Sequence, residues 1–203
     1  MSEEPRTDTI KLPDPQYNSK ISVESAILAR RSIRNYRLEP LDLSDISQLL
    51  WAAQGITDPG GYRAAPSAGA LYPLEIYALV GNATHLSAGI YKYRPARHEL
   101  QKKGSEDRRD ALCQAALSQD PIRKAPVVLV ICGVYERTTS KYGERGIRYV
   151  YMEAGHAAQN ALLQAVSLNL GAVVIGAFRD ETVAQVVGCE KGESPLYIIP
   201  VGK

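Results

Sequence analysis

Along the chain, stretches with apolar residues at helical spacing alternate with short runs that are wholly apolar or that switch between apolar and polar. The first pattern predicts amphipathic helices and the second strands. A helix begins after Ser22 as N-cap, with Glu24 in its first turn and Val23, Ile27 and Leu28 on its apolar side. A better marked one follows: Asp42 caps it, Leu43, Ile46, Leu49, Leu50 and Ala53 form one stripe, and Gly55 stops it. Trp51 lies off the centre of that stripe and is expected to pack rather than to act. Leu74 to Val80 predicts a strand, Gly89 to Tyr93 with His98 to Lys102 a hairpin or meander with a basic edge, and Asp107 to Leu117 a short amphipathic helix. The β-branched run Ala125 to Val134 predicts a central strand. Ile147 to Leu168 is the longest predicted helix. Its narrow face of Ala154, Ala157, Ala158, Ala161, Leu162 and Ala165 suits close helix–helix approach, inside the core or across a dimer axis. A strand over Ala172 to Ile175 runs into Gly176, Asp180 caps a helix closed by Gly188, and Leu196 to Val201 is a last strand, placed at an edge or in a terminal arm because Pro200 interrupts it.

Residues 1 to 20 break this rhythm, since Pro5, Pro13 and Pro15 alternate with polar residues. They are expected to form an arm, with a single domain over residues 21 to 203. The formal charge of +2 is too small for general nucleic-acid or membrane affinity. The polar, proline-containing start and the lack of a long apolar run predict neither a signal peptide nor a membrane span, and so a cytoplasmic protein. Cys113, Cys132 and Cys189, odd in number and without a close pair, are read as reduced thiols, with no disulfide framework and no metal site.

The candidate chemistry starts where the first helix ends, at Arg30-Arg31-Ser32-Ile33-Arg34-Asn35-Tyr36. Guanidinium groups hold phosphate by paired, charge-assisted hydrogen bonds. Arg30, Ser32 and Arg34 share one face only if the helix gives way to extended chain there; otherwise the segment is a solvated basic helix end. A second stretch, Gly60 to Pro73, has small residues bracketed by prolines, which fits a surface loop or a backbone lying close to something flat. His85 and His98 are expected at the surface, His156 as a packed, hydrogen-bonded histidine, and Gln159 and Asn160 as satisfying backbone or interface groups.

Five segments in order carry a resemblance: Ala29 to Tyr36, Ala65 to Pro73, Lys141 to Tyr149, Glu153 to Asn160 and Leu170 to Gly176. Together they resemble the nitroreductase-like flavoproteins, and more narrowly the SagB-type branch that includes thiazoline and oxazoline dehydrogenases. The resemblance implies an α+β fold, a central mixed or antiparallel sheet flanked by helices, and an intertwined homodimer with two FMN sites at its interface. It assigns Arg30, Ser32 and Arg34, with Arg31 beside them, to the FMN phosphate. Pro66, Ser67, Ala68 and Gly69 of the other subunit fall along the isoalloxazine, and Ile175 and Gly176 at its reactive edge. A further basic phosphate contact found in many members has no clear counterpart; Lys203 is the one candidate and is left unassigned.

Lys141-Tyr142 matches the pair that acts near the flavin in azoline dehydrogenases of this branch, with lysine as base and tyrosine orienting or relaying the proton. The alternative is that Lys141 joins Arg145 and Arg148 on a solvated basic surface. Three functions follow as expectations. The first is an FMN-dependent oxidoreductase passing hydride from NADH or NADPH to a nitro, quinone or enone acceptor. The second is a dehydrogenase converting peptide azolines to azoles alongside peptide-modifying partner enzymes, and the third a flavin-binding module without turnover.

Overall fold

A computed structural model describes residues 8–203, so residues 1–7 of the expected arm lie outside the described residues. The rest of that arm is anchored. Strand β1 (Thr9–Lys11) pairs antiparallel with β6 (Glu99–Gly104), and Leu12 behind it is buried in the core. Helix α1 (Val23–Ala29) has Ser22 as N-cap, its hydroxyl accepting from the Ser25 amide. A two-residue strand β2 (Leu41–Asp42) leads into α2 (Leu43–Gln54). Gly55 ends α2 in extended conformation, not a left-handed one; a glycine is needed because a Cβ would lie 2.2 Å from the Trp51 ring. Trp51 packs edge-on against Tyr17 at 5.6 Å, as a packing role requires.

The sheet is built from β3 (Leu74–Val80), β5 (Gly89–Arg94), β6, β7 (Val127–Val134), β8 (Gly171–Ala172), β9 (Glu193–Gly202) and β1, in the order β1-β6-β5-β3-β7-β9-β8. All its strand pairs are antiparallel. The short β4 (Ala83–Thr84) pairs parallel with β2 outside it. Ile76, Ala78 and Val80 of β3 face one layer with Leu129 and Ile131 of β7, while Tyr77, Leu79, Val128 and Val130 face the other. Both faces are covered, so these strands read as continuous apolar runs.

One face carries α2 and α6 (Arg145–Ser167); the other carries α3 (Arg109–Ala115), α4 (Pro121–Lys124) and α7 (Asp180–Val187). The alanine stripe of α6 is buried against α2 and the sheet. Its small side chains thus serve the core. Helix α5 (Tyr135–Tyr142), which the polar sequence there does not announce, precedes α6, and Gly146 lets the two meet, since a Cβ there would lie 2.8 Å from the Thr138 backbone.

Several expectations are corrected. β9 is not an edge strand but lies between β7 and β8. Ile198 exchanges both backbone bonds with Ile175, and the Pro200 carbonyl accepts weakly from Val173 on the same side. The missing Pro200 amide therefore falls where the next strand is only two residues long. His98 is half-buried rather than a surface residue, bonded to Ser47 Oγ at 2.7 Å and Tyr93 OH at 2.8 Å. Burial lowers its pKa. His156 is exposed and, among the described residues, makes no hydrogen bond, because it falls on the face of α6 that carries exposed Tyr151 and Met152. Gln159 is exposed as well, whereas Asn160 donates to the Ala64 carbonyl. Cys132 and Cys189, far apart in sequence, bring their Sγ atoms within 3.5 Å as free thiols.

Candidate functional site

The first group of site residues is built by a change of conformation at Arg30. Arg30 is the C-cap of α1, with φ −56° and ψ 122°, and from there the chain is extended. Ser32 bridges Ala172 in parallel, and the Ile33 amide donates to the Ala172 carbonyl at 2.9 Å. Gly171 allows that contact, since a Cβ there would lie 2.6 Å from Ile33. The bridge lays the arginine segment beside the chain that runs three residues on to Ile175 and Gly176. Gly176 is exposed, and a Cβ there would meet only Tyr197, at 3.7 Å.

In extended chain, Arg30, Ser32 and Arg34 share a face and Arg31 takes the other. Arg31 Nη1 donates to the Leu28 and Arg30 carbonyls, and Arg31 and Ile33 line a cavity of about 270 Å³ against Leu162, Val166 and Leu170. Among the described residues no carboxylate lies within ion-pair distance of Arg30, Arg31 or Arg34. Lys203, at the end of β9, lies 4.0 Å from Glu39, and its carbonyl accepts from the Arg37 amide.

The second group surrounds the loop between α2 and β3. Pro66 is exposed, and Ser67 Oγ accepts from the Tyr72 amide at 2.9 Å. Gly69, Ala70 and Tyr72 all have positive φ, at 64°, 53° and 46°. Two of these are not glycine, so the loop holds strain that its surroundings must pin. They do so through Tyr72: Arg63 stacks on its ring at 4.5 Å, and Arg137 donates to its carbonyl at 3.0 Å.

Gly69 faces the Lys141-Tyr142 pair. A Cβ on Gly69 would sit 2.8 Å from Tyr142 OH and 3.0 Å from Lys141 Nζ. The glycine is therefore required twice, by its left-handed φ and by the space these two groups occupy. Lys141 Nζ lies 5.5 Å from the Tyr142 ring centroid, and that ring packs edge-on against Tyr149 at 5.2 Å. Two segments far apart in sequence thus present small backbone, an amine and a phenol together. Among the described residues no hydrogen bond joins this group to the arginine segment.

Sequence reading missed two residues behind the loop. Glu153 of α6 is 2% exposed, with Oε1 lacking a hydrogen-bond partner among the described residues. Burial pushes its carboxyl up to about 7, against the Ser67 hydroxyl, Arg63 and Gln54, which favour the ionised form. Arg63 is the other. The signal available was a carboxylate on an otherwise small-residue helix stripe, a pattern that seldom survives burial without a reason.

Comparison with known proteins gives the class to which this fold and its two clusters belong. The nitroreductase family matches residues 27–203, and the chain belongs to that family. It is therefore an oxidoreductase. A Methanocaldococcus jannaschii protein bearing a nitroreductase name is 46% identical over 197 residues, 97% of each chain. The Escherichia coli microcin B17-processing protein McbC is 32% identical over 166 residues, 78% of this chain and 61% of that protein. A crystal structure of a Ralstonia eutropha protein described as a nitroreductase superposes with a TM-score of 0.85 at 30% identity, covering 96% of this chain and 89% of that one. No helix among the described residues is long and apolar enough to cross a membrane.

Proposed function

We propose that the protein is an FMN-dependent oxidoreductase that takes hydride from NADH or NADPH and reduces a small electron-poor acceptor, such as a nitro compound, a quinone or an enone. The observation that carries this reading is the Ser32–Ala172 bridge, which sets arginines without an ion pair among the described residues beside an open glycine backbone. The residues fit the cofactor: among the described residues Arg30 and Arg34 have no carboxylate to neutralise them, Ser32 adds a hydroxyl on the same face, and a side chain at position 176 would occupy space a flat ring could use. Bound there, FMN would accept and pass on hydride. Arg30, Ser32 and Arg34 hold the phosphate, and the Ile175-Gly176 backbone lies along the ring edge.

The site is completed by a second copy of the chain. Val23, Ile27 and Leu28 of α1 are 66%, 57% and 76% exposed, and Ile147, Tyr151 and Met152 of α6 are exposed too. Such apolar faces need cover. A homodimer burying them brings the partner's copy of the Pro66 to Gly69 segment, with its Lys141-Tyr142 pair, over the flavin.

The test is the visible spectrum of the purified protein, the chromophore released on denaturation, and anaerobic bleaching by a reduced nicotinamide. A yellow dimer that releases FMN and bleaches supports the reading. A protein that takes up no added FMN refutes it.

A second reading is favoured by the contact of Gly69 with Lys141 and Tyr142 and by similarity to a microcin-processing protein. In it the protein oxidises peptide azolines to azoles, bound FMN being the group that would take the hydride, and works with peptide-modifying partner enzymes. Lys141 takes the proton leaving carbon, and Tyr142 orients it. Full azoline oxidation by Lys141→Ala and Tyr142→Phe variants would remove both roles.

A further inference from the structure

A cavity of about 440 Å³ opens on the other side of the strained loop, a size suited to a small molecule. Its floor is the start of β3, with Leu74, Glu75 and Ile76, and its walls include Tyr72, Tyr93 and Pro95. Gln54, Arg63, Arg94 and Arg137 supply the polar lining.

The three arginines are not equivalent. Arg137 pairs with Glu75, and Arg94 is bonded to Gln101 and lies 3.9 Å from Glu190. Arg63 has no carboxylate within ion-pair distance among the described residues; it is half-buried, and desolvation lowers its pKa against the more distant Glu75 and Glu153 carboxyls, which raise it. Its Nη1 donates to Gln54 Oε1 at 2.9 Å, and its flat face rests on Tyr72. Gln54, 1% exposed, has its Oε1 committed to Arg63, while its side-chain amide acts on Glu153 and favours that carboxyl's ionised form. A half-buried guanidinium without an ion pair among the described residues, in a cavity lined by two more, favours a ligand whose oxygen atoms carry negative charge.

The candidate catalytic pair does not line the cavity but stands on the same elements as residues that do. Arg137 and Lys141 stand one turn apart on α5, and Leu71 and Tyr72 of the cavity wall lie two and three residues beyond Gly69, where a Cβ would meet Lys141 and Tyr142. We propose that this cavity is an anion subsite that takes the carboxylate of a small, flat substrate, with Arg63 as its ion-pair partner and the Tyr72 and Leu71 wall beside its apolar body. The carboxylate end would lie in the cavity while the reacting end reaches past Gly69. The inference rests on the oxidoreductase reading only for the reacting end; the anion site stands on the cavity itself.

The experiment is calorimetric titration of the flavin-loaded protein with 4-nitrobenzoate and with uncharged 4-nitrobenzyl alcohol, which have nearly the same shape. A charge-assisted contact predicts that the acid binds about tenfold tighter or better. Arg63→Gln should abolish that preference and Arg63→Lys should restore much of it, with melting curves confirming that each variant is folded. Equal affinity of the wild-type protein for the two compounds overturns the proposal whatever the variants do. A preference that survives in folded Arg63→Gln overturns it too. Turnover separates the two readings: reduction of both compounds with equal binding keeps the oxidoreductase and removes the subsite, whereas Arg63-dependent binding without turnover does the reverse.

Discussion

Glu153→Gln is the perturbation whose size the structure fixes best. The carboxyl is buried on α6 with one oxygen unpartnered, and its pKa rises from the ordinary 4.5 to about 7. In the unfolded chain it ionises above its ordinary value, whereas the folded protein holds the proton until about pH 7. Folding therefore takes up a proton in between, so this group's contribution to stability is fully present below pH 4.5, is lost as pH rises through about 7, and is flat beyond. The loss amounts to about 3 kcal/mol. Glutamine has the same shape and no charge, so the variant should lack that slope. For a chain of this length, about 2–4 °C of melting temperature accompanies each kcal/mol, which puts Glu153→Gln about 6–12 °C above the parent at about pH 8 and level with it near pH 4.5. His98, whose charged form burial disfavours, pulls the other way, adding stability above its ordinary 6.5 and losing it as pH falls. Subtracting the melting curves of the two proteins at each pH removes that contribution. A variant that melts below the parent at about pH 8, or by the same margin at about pH 5, would mean that ionised Glu153 is well paired and the reasoning is wrong.

The arginine segment gives a binding prediction: Arg34→Ala should weaken FMN affinity about 10- to 100-fold, the worth of one charge-assisted contact, measured by flavin fluorescence titration. Gly69→Ala should cost about 1–2 kcal/mol for its left-handed backbone and displace Lys141 and Tyr142; thermal melts read the first effect and turnover the second. Equal activity of Gly69→Ala and parent would detach the loop from the proposed catalytic pair. Leu28→Asp puts a charge on the exposed face of α1 and should shift sizing chromatography toward monomer with loss of bound flavin, while retention of a tight dimer would place the interface elsewhere.

The sequence was enough to determine the local pattern. Ser22 and Asp42 as caps, the apolar stripe of α2, the all-apolar β3 and β7 and the alanine face of α6 each follow from interactions within a few residues, and each stands where it was expected. The extended turn of Arg30 to Arg34 was stated as a condition, and tertiary structure met it: Ala172, far away in sequence, supplies the bridge. Long-range contact likewise decided that β9 lies inside the sheet despite Pro200, that His98 is tied to Ser47 and Tyr93, and that two distant thiols meet. Glu153 and Arg63 escaped notice for the same reason. Arg63 has no mark in the sequence around it and Glu153 only its place on a small-residue stripe; their chemistry arises where α2, the strained loop and α6 close around them and water is lost. Periodicity reports which face of an element is apolar; only the packed fold decides which polar groups are left without solvent, and that is where the site's chemistry resides.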